Sequence, residues 1–147
     1  MQLAVHVAFN GNCRQAFEYY AKTFGARILM QLTYGEAPGG AGGSSAEMSN
    51  QIMHARLDID GQYLMGADAP PGRYHASKGI MVTVSISDPE RARRIFEALA
   101  DKGNITMPFQ ETFWARGSGM CIDQFAIPWI VNCEKPMTIG NTAQAAA

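Results

Sequence analysis

The chain has 147 residues, of which 47% are hydrophobic and 17% are charged, and its net charge is -1 at pH 7. This composition can bury the core of one ordinary domain. The near-zero charge removes the main electrostatic reason for binding nucleic acid or an anionic membrane, so neither partner is expected.

Targeting signals and cysteine usage indicate the compartment. No apolar run reaches the ~20 residues needed to cross a bilayer, and residues 1–12 lack the basic and apolar regions of a signal peptide. The three cysteines include no C-x-x-C pair, which argues against a disulfide framework and against a cysteine zinc site. We therefore predict a cytoplasmic protein.

The first elements along the chain predict a strand and then a helix. Residues 3–9 form a short apolar run rich in β-branched residues, which is typical of a strand. Asn10 or Asn12 can cap the helix by accepting a hydrogen bond from a free backbone N–H. Gly25 is expected to end the helix, and residues 26–34 predict a second strand. The apolar face of the helix consists of residues three or four positions apart, namely Cys13, Ala16, Phe17, Tyr20 and Phe24.

Glycine and serine dominate the next segment. The stretch from Glu36 to Asn50 predicts a long flexible loop, because such residues cannot pack a core. Two strands follow, at residues 51–59 and 62–68. Asp60-Gly61 between them indicates a tight hairpin, since a primed turn needs residues that tolerate positive φ.

After a connector at residues 69–79, the order of elements restarts. Residues 79–86 predict a strand, and Asp88 then caps a helix with Pro89 at its first position, where the missing N–H costs nothing. Gly103 is expected to end this helix as Gly25 ends the first. Its apolar face consists of Ala92, Ile95, Phe96 and Leu99. Three further strands are predicted at residues 104–113, 114–122 and 127–132.

The two halves therefore match as strand, helix and three strands. The same spacing separates Gly25 from Gly103 and Phe17 from Ile95. After the Gly/Ser loop the spacing shortens by about the length of that loop, so that His54 matches Trp114. We predict one domain at residues 1–135 built from two βαβββ units, unit one at 1–70 and unit two at 78–135, followed by a flexible tail at 136–147.

Six short motifs carry a family resemblance. They are F-x-G-N-C-x-x-A-x-x-Y-Y (9–20), F-G-A (24–26), Y-G-E-x-P (34–38), M-G-A-D-A-P-P-G (65–72), Q-E-T-F-W-A-R-G-x-G (110–119) and D-x-F-x-I-P-W-x-V-N (123–132). With these motifs the chain resembles the vicinal-oxygen-chelate superfamily, which includes glyoxalase I, extradiol dioxygenases and fosfomycin- and bleomycin-type resistance proteins. It resembles most its PhnB-like branch, also labelled 3-demethylubiquinone-9 3-methyltransferase.

The resemblance implies an α+β fold and an assembly. Each βαβββ unit would form half of a curved, incompletely closed sheet, and two units would make a cup. Since members commonly dimerise and a small cup has exposed strand edges, we expect a homodimer. The fold does not imply one function, because it hosts many chemistries.

The resemblance also implies where a metal would be held. Metal enzymes of this superfamily place a His on the first strand of a unit and a Glu on its last strand. His6 fits the first position, but Met81 or Val82 and Trp129 or Ile130 occupy the comparable places in unit two. We expect no cofactor and no intact metal site, with a divalent metal as the alternative.

Two carboxylates are candidates for acid–base chemistry. Asp68 ends an apolar strand and either faces the cup as a catalytic group or caps the turn that follows. Glu111 lies beside aromatic residues, which could raise the pKa of its carboxyl for catalysis, or it pairs with Arg116.

Aromatic, imidazole and thioether side chains are candidates for the wall of a ligand pocket, although such residues in strands are often core. They are His6, His54, Tyr34, Met81, Phe113, Trp114 and Trp129. The sequence leaves an enzyme and a binding protein open. We favour a protein that binds a small molecule in an apolar cup, with a divalent-metal enzyme of the glyoxalase or dioxygenase type as the alternative. A methyltransferase is disfavoured, since no glycine-rich turn between a strand and a helix is present to hold a nucleoside cofactor.

Overall fold

The computed structural model describes residues 1–40 and 45–136. Unit one contains strand β1 (Val5–Phe9), helix α1 (Cys13–Phe24), strand β2 (Arg27–Thr33), a 3-10 turn (Pro38–Gly40), helix α2 (Ala46–Ser49), and strands β3 (Ile52–Ile59) and β4 (Gln62–Asp68). Unit two contains strand β5 (Val82–Ser85), helix α3 (Pro89–Ala100), and strands β6 (Asn104–Gln110), β7 (Ala115–Ile122) and β8 (Pro128–Glu134). Among the helices in these residues, none has the length and hydropathy of a membrane-spanning segment.

Each unit forms one four-stranded sheet, and the two sheets have the same topology. The strand orders are β1-β4-β3-β2 and β5-β8-β7-β6. In both sheets the first strand pairs in parallel with the last, and the other neighbours are antiparallel. The predicted α+β fold with tandem βαβββ units is therefore confirmed, and within the described residues the two sheets do not close into one barrel.

The ends of the helices follow the predicted rules in part. Gly25 ends α1 with φ 65°, and the side chain of Asp88 caps α3 by accepting from the N–H of Glu90 at 3.0 Å, as predicted. Asn12 occupies the cap position of α1 but makes no cap bond with its side chain to the described residues. Instead, Asp68 accepts a hydrogen bond from the N–H of Cys13 at 2.9 Å. A distant carboxylate thus replaces the predicted local cap.

The role predicted for Gly103 was wrong. Helix α3 ends at Ala100, and Lys102 rather than Gly103 has the positive φ, at 56°. Gly103 is needed for a different reason, because a Cβ atom there would clash with the carbonyl oxygen of Ile122. Close approach of the β7 backbone excludes any side chain at this position.

The connections of unit one also differ in part from the prediction. The Asp60-Gly61 hairpin is confirmed, with φ values of 50° and 83°. Within the segment predicted as a loop, however, Ala46–Ser49 is a short helix whose Met48 is buried and whose N-terminus is capped by Ser45. Positions 41–44 of that loop and positions 137–147 of the predicted tail lie outside the described residues.

A buried carboxylate joins the two units at the centre of the core. Asp123, in the β7–β8 turn, accepts hydrogen bonds from the hydroxyl of Tyr20 on α1 and from the indole N–H of Trp129, the latter at 2.7 Å. Its other oxygen accepts from the backbone N–H groups of Phe125 and Ile127 at 2.8 and 3.0 Å. The Tyr20 and Trp129 rings pack edge to face, with centroids 5.2 Å apart. The core of unit one and that of unit two are therefore continuous.

We predict that Asp123→Asn destabilises the protein by about 3 kcal/mol, because the amide keeps one acceptor but turns N–H donors toward Tyr20 and Trp129. Chemical denaturation followed by circular dichroism measures this loss. Glu97→Gln, the same chemical change at an exposed position of α3, is the matched control. Equal denaturation midpoints for the two variants would contradict the role assigned to Asp123.

Candidate functional site

One face of the first sheet is turned away from helix α1. In β1, Val7 and Phe9 are buried toward the helix, whereas His6 and Ala8 point the opposite way, since successive strand residues alternate. The same alternation applies in β3 and β4. We call this surface the first-sheet open face, formed by His6, Ala8, His54, Arg56, Met65 and Ala67.

Two imidazoles meet on this face. The rings of His6 on β1 and His54 on β3 are nearly parallel, at 11°, with centroids 6.5 Å apart. They reach across β4, where the small side chain of Ala67 lies opposite Ala8. Burial and the nearby His54 together lower the pKa of His6 from its ordinary value of 6.5. Because two like charges would repel at this distance, the neutral form of His6 is favoured.

Arg56 adds a cation to the same face of the sheet. It pairs with Met65 of β4 and Met30 of β2, and its guanidinium lies over the ring of Tyr63, 5.2 Å from the ring centroid. Nη2 contacts the sulfur of Met65 at 3.8 Å. The Nε atom is buried and has no hydrogen-bond acceptor among residues 1–40 and 45–136. Buried N–H groups normally have a hydrogen-bond acceptor, so the described residues leave this donor unsatisfied.

The second sheet presents a different open face. Ser118 of β7 pairs with Asn132 of β8, which in turn pairs with Ser85 of β5. Arg116, the residue matched to Arg56 in the repeat, is exposed on the same strand as Ser118. This face carries hydroxyls and an amide where the first-sheet open face carries imidazoles.

Asp68, a predicted catalytic residue, is turned away from the open face. Its carboxylate is only 1% exposed and accepts from the N–H groups of Cys13 at 2.9 Å and Ile52 at 2.8 Å. Its backbone carbonyl accepts from the hydroxyl of Tyr34 at 2.7 Å. Both Asp68 and Tyr34 therefore hold the ends of α1, β2 and β3 together. This role is structural, but it is not the cap of the following turn that the sequence offered as the alternative, because both donors to the Asp68 carboxylate are distant in sequence.

Glu111, the other predicted catalytic residue, is at the surface. It forms an ion pair with Lys135 at 2.7 Å instead of the Arg116 pair considered from the sequence. The hydrogen bond and charge of Lys135 lower the pKa of its carboxyl. This is opposite to the raised pKa that acid catalysis would use, so the surroundings of Glu111 do not provide that environment.

The predicted pocket wall is not assembled in one place. Trp129 is fully buried in the core beside Tyr20, and the half-buried Met81 lies just before β5. Phe113 and Trp114 are 90% and 42% exposed on the β6–β7 turn, packed on each other with ring centroids 4.6 Å apart. Of the candidate pocket residues that are distant in sequence, the structure thus brings together His6 and His54.

Arg56 is absent from the pocket residues predicted above, although the repeat that matches His54 with Trp114 also matches Arg56 with Arg116. The stronger signal is its position two residues after His54 in the same strand. Alternation puts both side chains on one face.

The donor set of the first-sheet open face does not suit a catalytic divalent ion. Such an ion needs about three converging His or carboxylate ligands, whereas this face offers two imidazoles beside a guanidinium. Across the part of the chain that the structure describes, no three His, Cys, Asp or Glu side chains converge as metal ligands.

Comparison with known proteins places this geometry in a family. Residues 1–132 match the family model described as 3-demethylubiquinone-9 3-methyltransferase. Protein YjdN of Escherichia coli strain K12 is 35% identical over 142 residues, which cover 92% of this chain and 97% of that protein.

Solved structures agree with that match. The crystal structure of protein PA1353 from Pseudomonas aeruginosa has a TM-score of 0.83 and 37% identity, covering 91% of this chain and 98% of that one. A mutant of the fosfomycin resistance protein FosX from Listeria monocytogenes, solved with Mn(II) and 1S,2S-dihydroxypropylphosphonic acid, shares the fold. Its TM-score is 0.62 and its identity 9%, over 92% of this chain and 94% of that one. The chain therefore belongs to the PhnB-like family that carries the 3-demethylubiquinone-9 3-methyltransferase description, and it shares its fold with FosX.

Proposed function

We propose that this protein binds a small molecule with an anionic group, a carboxylate or a phosphonate, on the first-sheet open face. The observation that carries the proposal is the guanidinium of Arg56, which forms no ion pair among the described residues and lies on the same sheet face as the His6–His54 pair. This refines the expectation of an apolar cup that binds a small molecule without the metal site of the superfamily's enzymes.

The chemistry of Arg56 favours a flat or tetrahedral oxyanion. A guanidinium offers five N–H donors in a fixed fork that matches a carboxylate or a phosphonate with two parallel bonds. Met65, Ala8 and Ala67 supply apolar surface for the rest of the ligand.

We further propose that a second copy of the chain closes this face as a homodimer. The first-sheet open face can cover a ligand from one side only, whereas ligand sites usually enclose most of the ligand. Phe113 and Trp114 are exposed on a turn that Lys135 holds by a bond from its Nζ to the carbonyl of Thr112, at 2.9 Å. Rigid exposed aromatic residues are typical anchors of protein interfaces.

Arg56→Gln should weaken binding of benzoate and phenylphosphonate at least tenfold, because the amide loses both the charge and the paired donors. Isothermal titration measures the affinities. Arg27→Gln, at an exposed arginine of the same sheet that pairs with Asp58, is the matched control. The proposal fails if the two variants bind these probes equally well.

Benzoate affinity should rise as the pH falls from about 8 to about 5. An anion favours protonated His6, and burial together with His54 lowers the pKa of the free imidazole from 6.5, so the rise should continue until the pH falls below that lowered pKa. Titration at several pH values gives the profile, and His6→Gln should flatten it. A wild-type affinity that is constant or increases with pH would show that His6 does not face the bound anion.

Sedimentation velocity at micromolar concentration should show a dimer, and Phe113→Ser should shift it toward monomer by removing an aromatic anchor. Ile80→Ser, which also removes an exposed apolar side chain, controls for surface hydrophobicity. A wild-type protein that sediments only as monomer would refute the dimer.

A further inference from the structure

A second concave region lies between the two units. It is a cleft of about 500 Å³, within the range of ~300–1,000 Å³ typical of ligand sites. We call it the inter-unit cleft. His6, His54 and Arg56 do not line it, and its contact with the first-sheet open face is through Tyr63, whose ring lies under the Arg56 guanidinium.

The walls of the inter-unit cleft come from both units and combine an apolar patch with polar groups. Val5 and Leu64 line it from unit one, and Val84 and Ile95 line it from unit two, with Trp129 behind them. An apolar body placed there would be removed from water on two sides, which stabilises binding by about 25 cal/mol per Å² of apolar surface buried.

An unpaired strand edge adds polar groups to this wall. Strand β5 is at the edge of the second sheet, and residues 82–88 line the cleft consecutively. Side chains of successive strand residues point to opposite faces, so consecutive residues can all line one cavity only when the edge of the strand is turned toward it. Within the described residues β5 pairs with β8 alone, so its other edge leaves N–H and C=O groups available.

Arg91 is the one cation among the described residues that line the cleft. It lies in the first turn of α3, and its side chain is 46% exposed. Its guanidinium contacts a carboxylate oxygen of Asp60 only at 4.0 Å and donates to the carbonyl of Phe24 at 3.4 Å. Both contacts are long, so most of its five N–H donors can serve a ligand.

We propose that the inter-unit cleft binds a small amphipathic carboxylic acid. The apolar chain lies against Val84, Ile95 and Leu64, and the carboxylate is held by Arg91. Asp60 competes with the ligand for the same guanidinium, and Asp88 is a second acidic group of the lining. These two carboxylates restrict the site to a ligand with a single negative charge at one end.

Titration calorimetry with octanoate, below its micellar concentration, tests the proposal, with octan-1-ol as the uncharged counterpart. We expect saturable binding of octanoate at one site per chain and at least tenfold weaker binding of the alcohol. Arg91→Gln should lower the octanoate affinity about tenfold and leave the alcohol unchanged. Asp60→Asn should raise the octanoate affinity severalfold, because it removes the competing carboxylate.

Two controls separate this site from others. Arg94→Gln, at an exposed arginine of α3 outside the cleft lining, should leave octanoate binding unchanged. His54→Gln, which alters the first-sheet open face and lies outside the cleft lining, should also leave it unchanged, so the two proposals can fail independently. The absence of saturable octanoate binding, an equal loss in Arg91→Gln and Arg94→Gln, or a loss in His54→Gln in place of Arg91→Gln would each overturn the assignment. The gain expected from Asp60→Asn keeps the test decisive even if Arg91→Gln fails to fold.

Discussion

The carboxylate of Asp123 is the interaction on which the arrangement of the two units depends. A buried carboxylate without donors costs several kcal/mol, and the cost disappears only when its oxygens are satisfied. Among the donors that the described residues supply, the hydroxyl of Tyr20 comes from the other unit. The turn of unit two is therefore satisfied only when α1 of unit one is in place. Since α1 packs on the first sheet, the same bond fixes how the two sheets face each other.

Asp68 joins distant segments within unit one, as Asp123 joins the two units. Its two oxygens satisfy the first N–H of α1 and the first N–H of β3, two groups that are distant in sequence. This explains why a carboxylate at the end of an apolar strand is compatible with a structural role. Asp68, a predicted catalytic residue at the end of β4, instead satisfies buried backbone N–H groups.

Local patterns predicted most of the fold. Apolar spacing indicated both long helices, Asp60-Gly61 indicated the hairpin, and the repeat indicated the matching sheets. The predictions failed where a group distant in sequence determines the local structure. Asn12 is replaced as a cap by Asp68, and Gly103 is required by the backbone of Ile122. Neither partner is visible to a rule that examines a few neighbouring residues.

Sequence patterns likewise predicted only part of the candidate site. Alternation along β1 and β3 puts His6, His54 and Arg56 on one side, but it does not say which side is the core. In β8 both Trp129 and Ile130 are apolar, so the strand alone cannot show which one is buried. The hydrogen bond from the Trp129 indole to Asp123 and the packing on Tyr20 decide it, and neither follows from the pattern of the strand.

The segment between β2 and β3 has a consequence for how this fold can be altered. Its two ends lie side by side, because the N–H of Tyr34 donates to the carbonyl of Gln51 at 3.0 Å and that of Gly35 to Ser49 at 2.9 Å. Because these hydrogen bonds close the base of the segment, its length does not affect the register of β2 and β3. Segments of other lengths and sequences can therefore be inserted between Gly40 and Ser45 while the first sheet keeps its pairing and Met48 stays buried, so this position can accept new recognition elements.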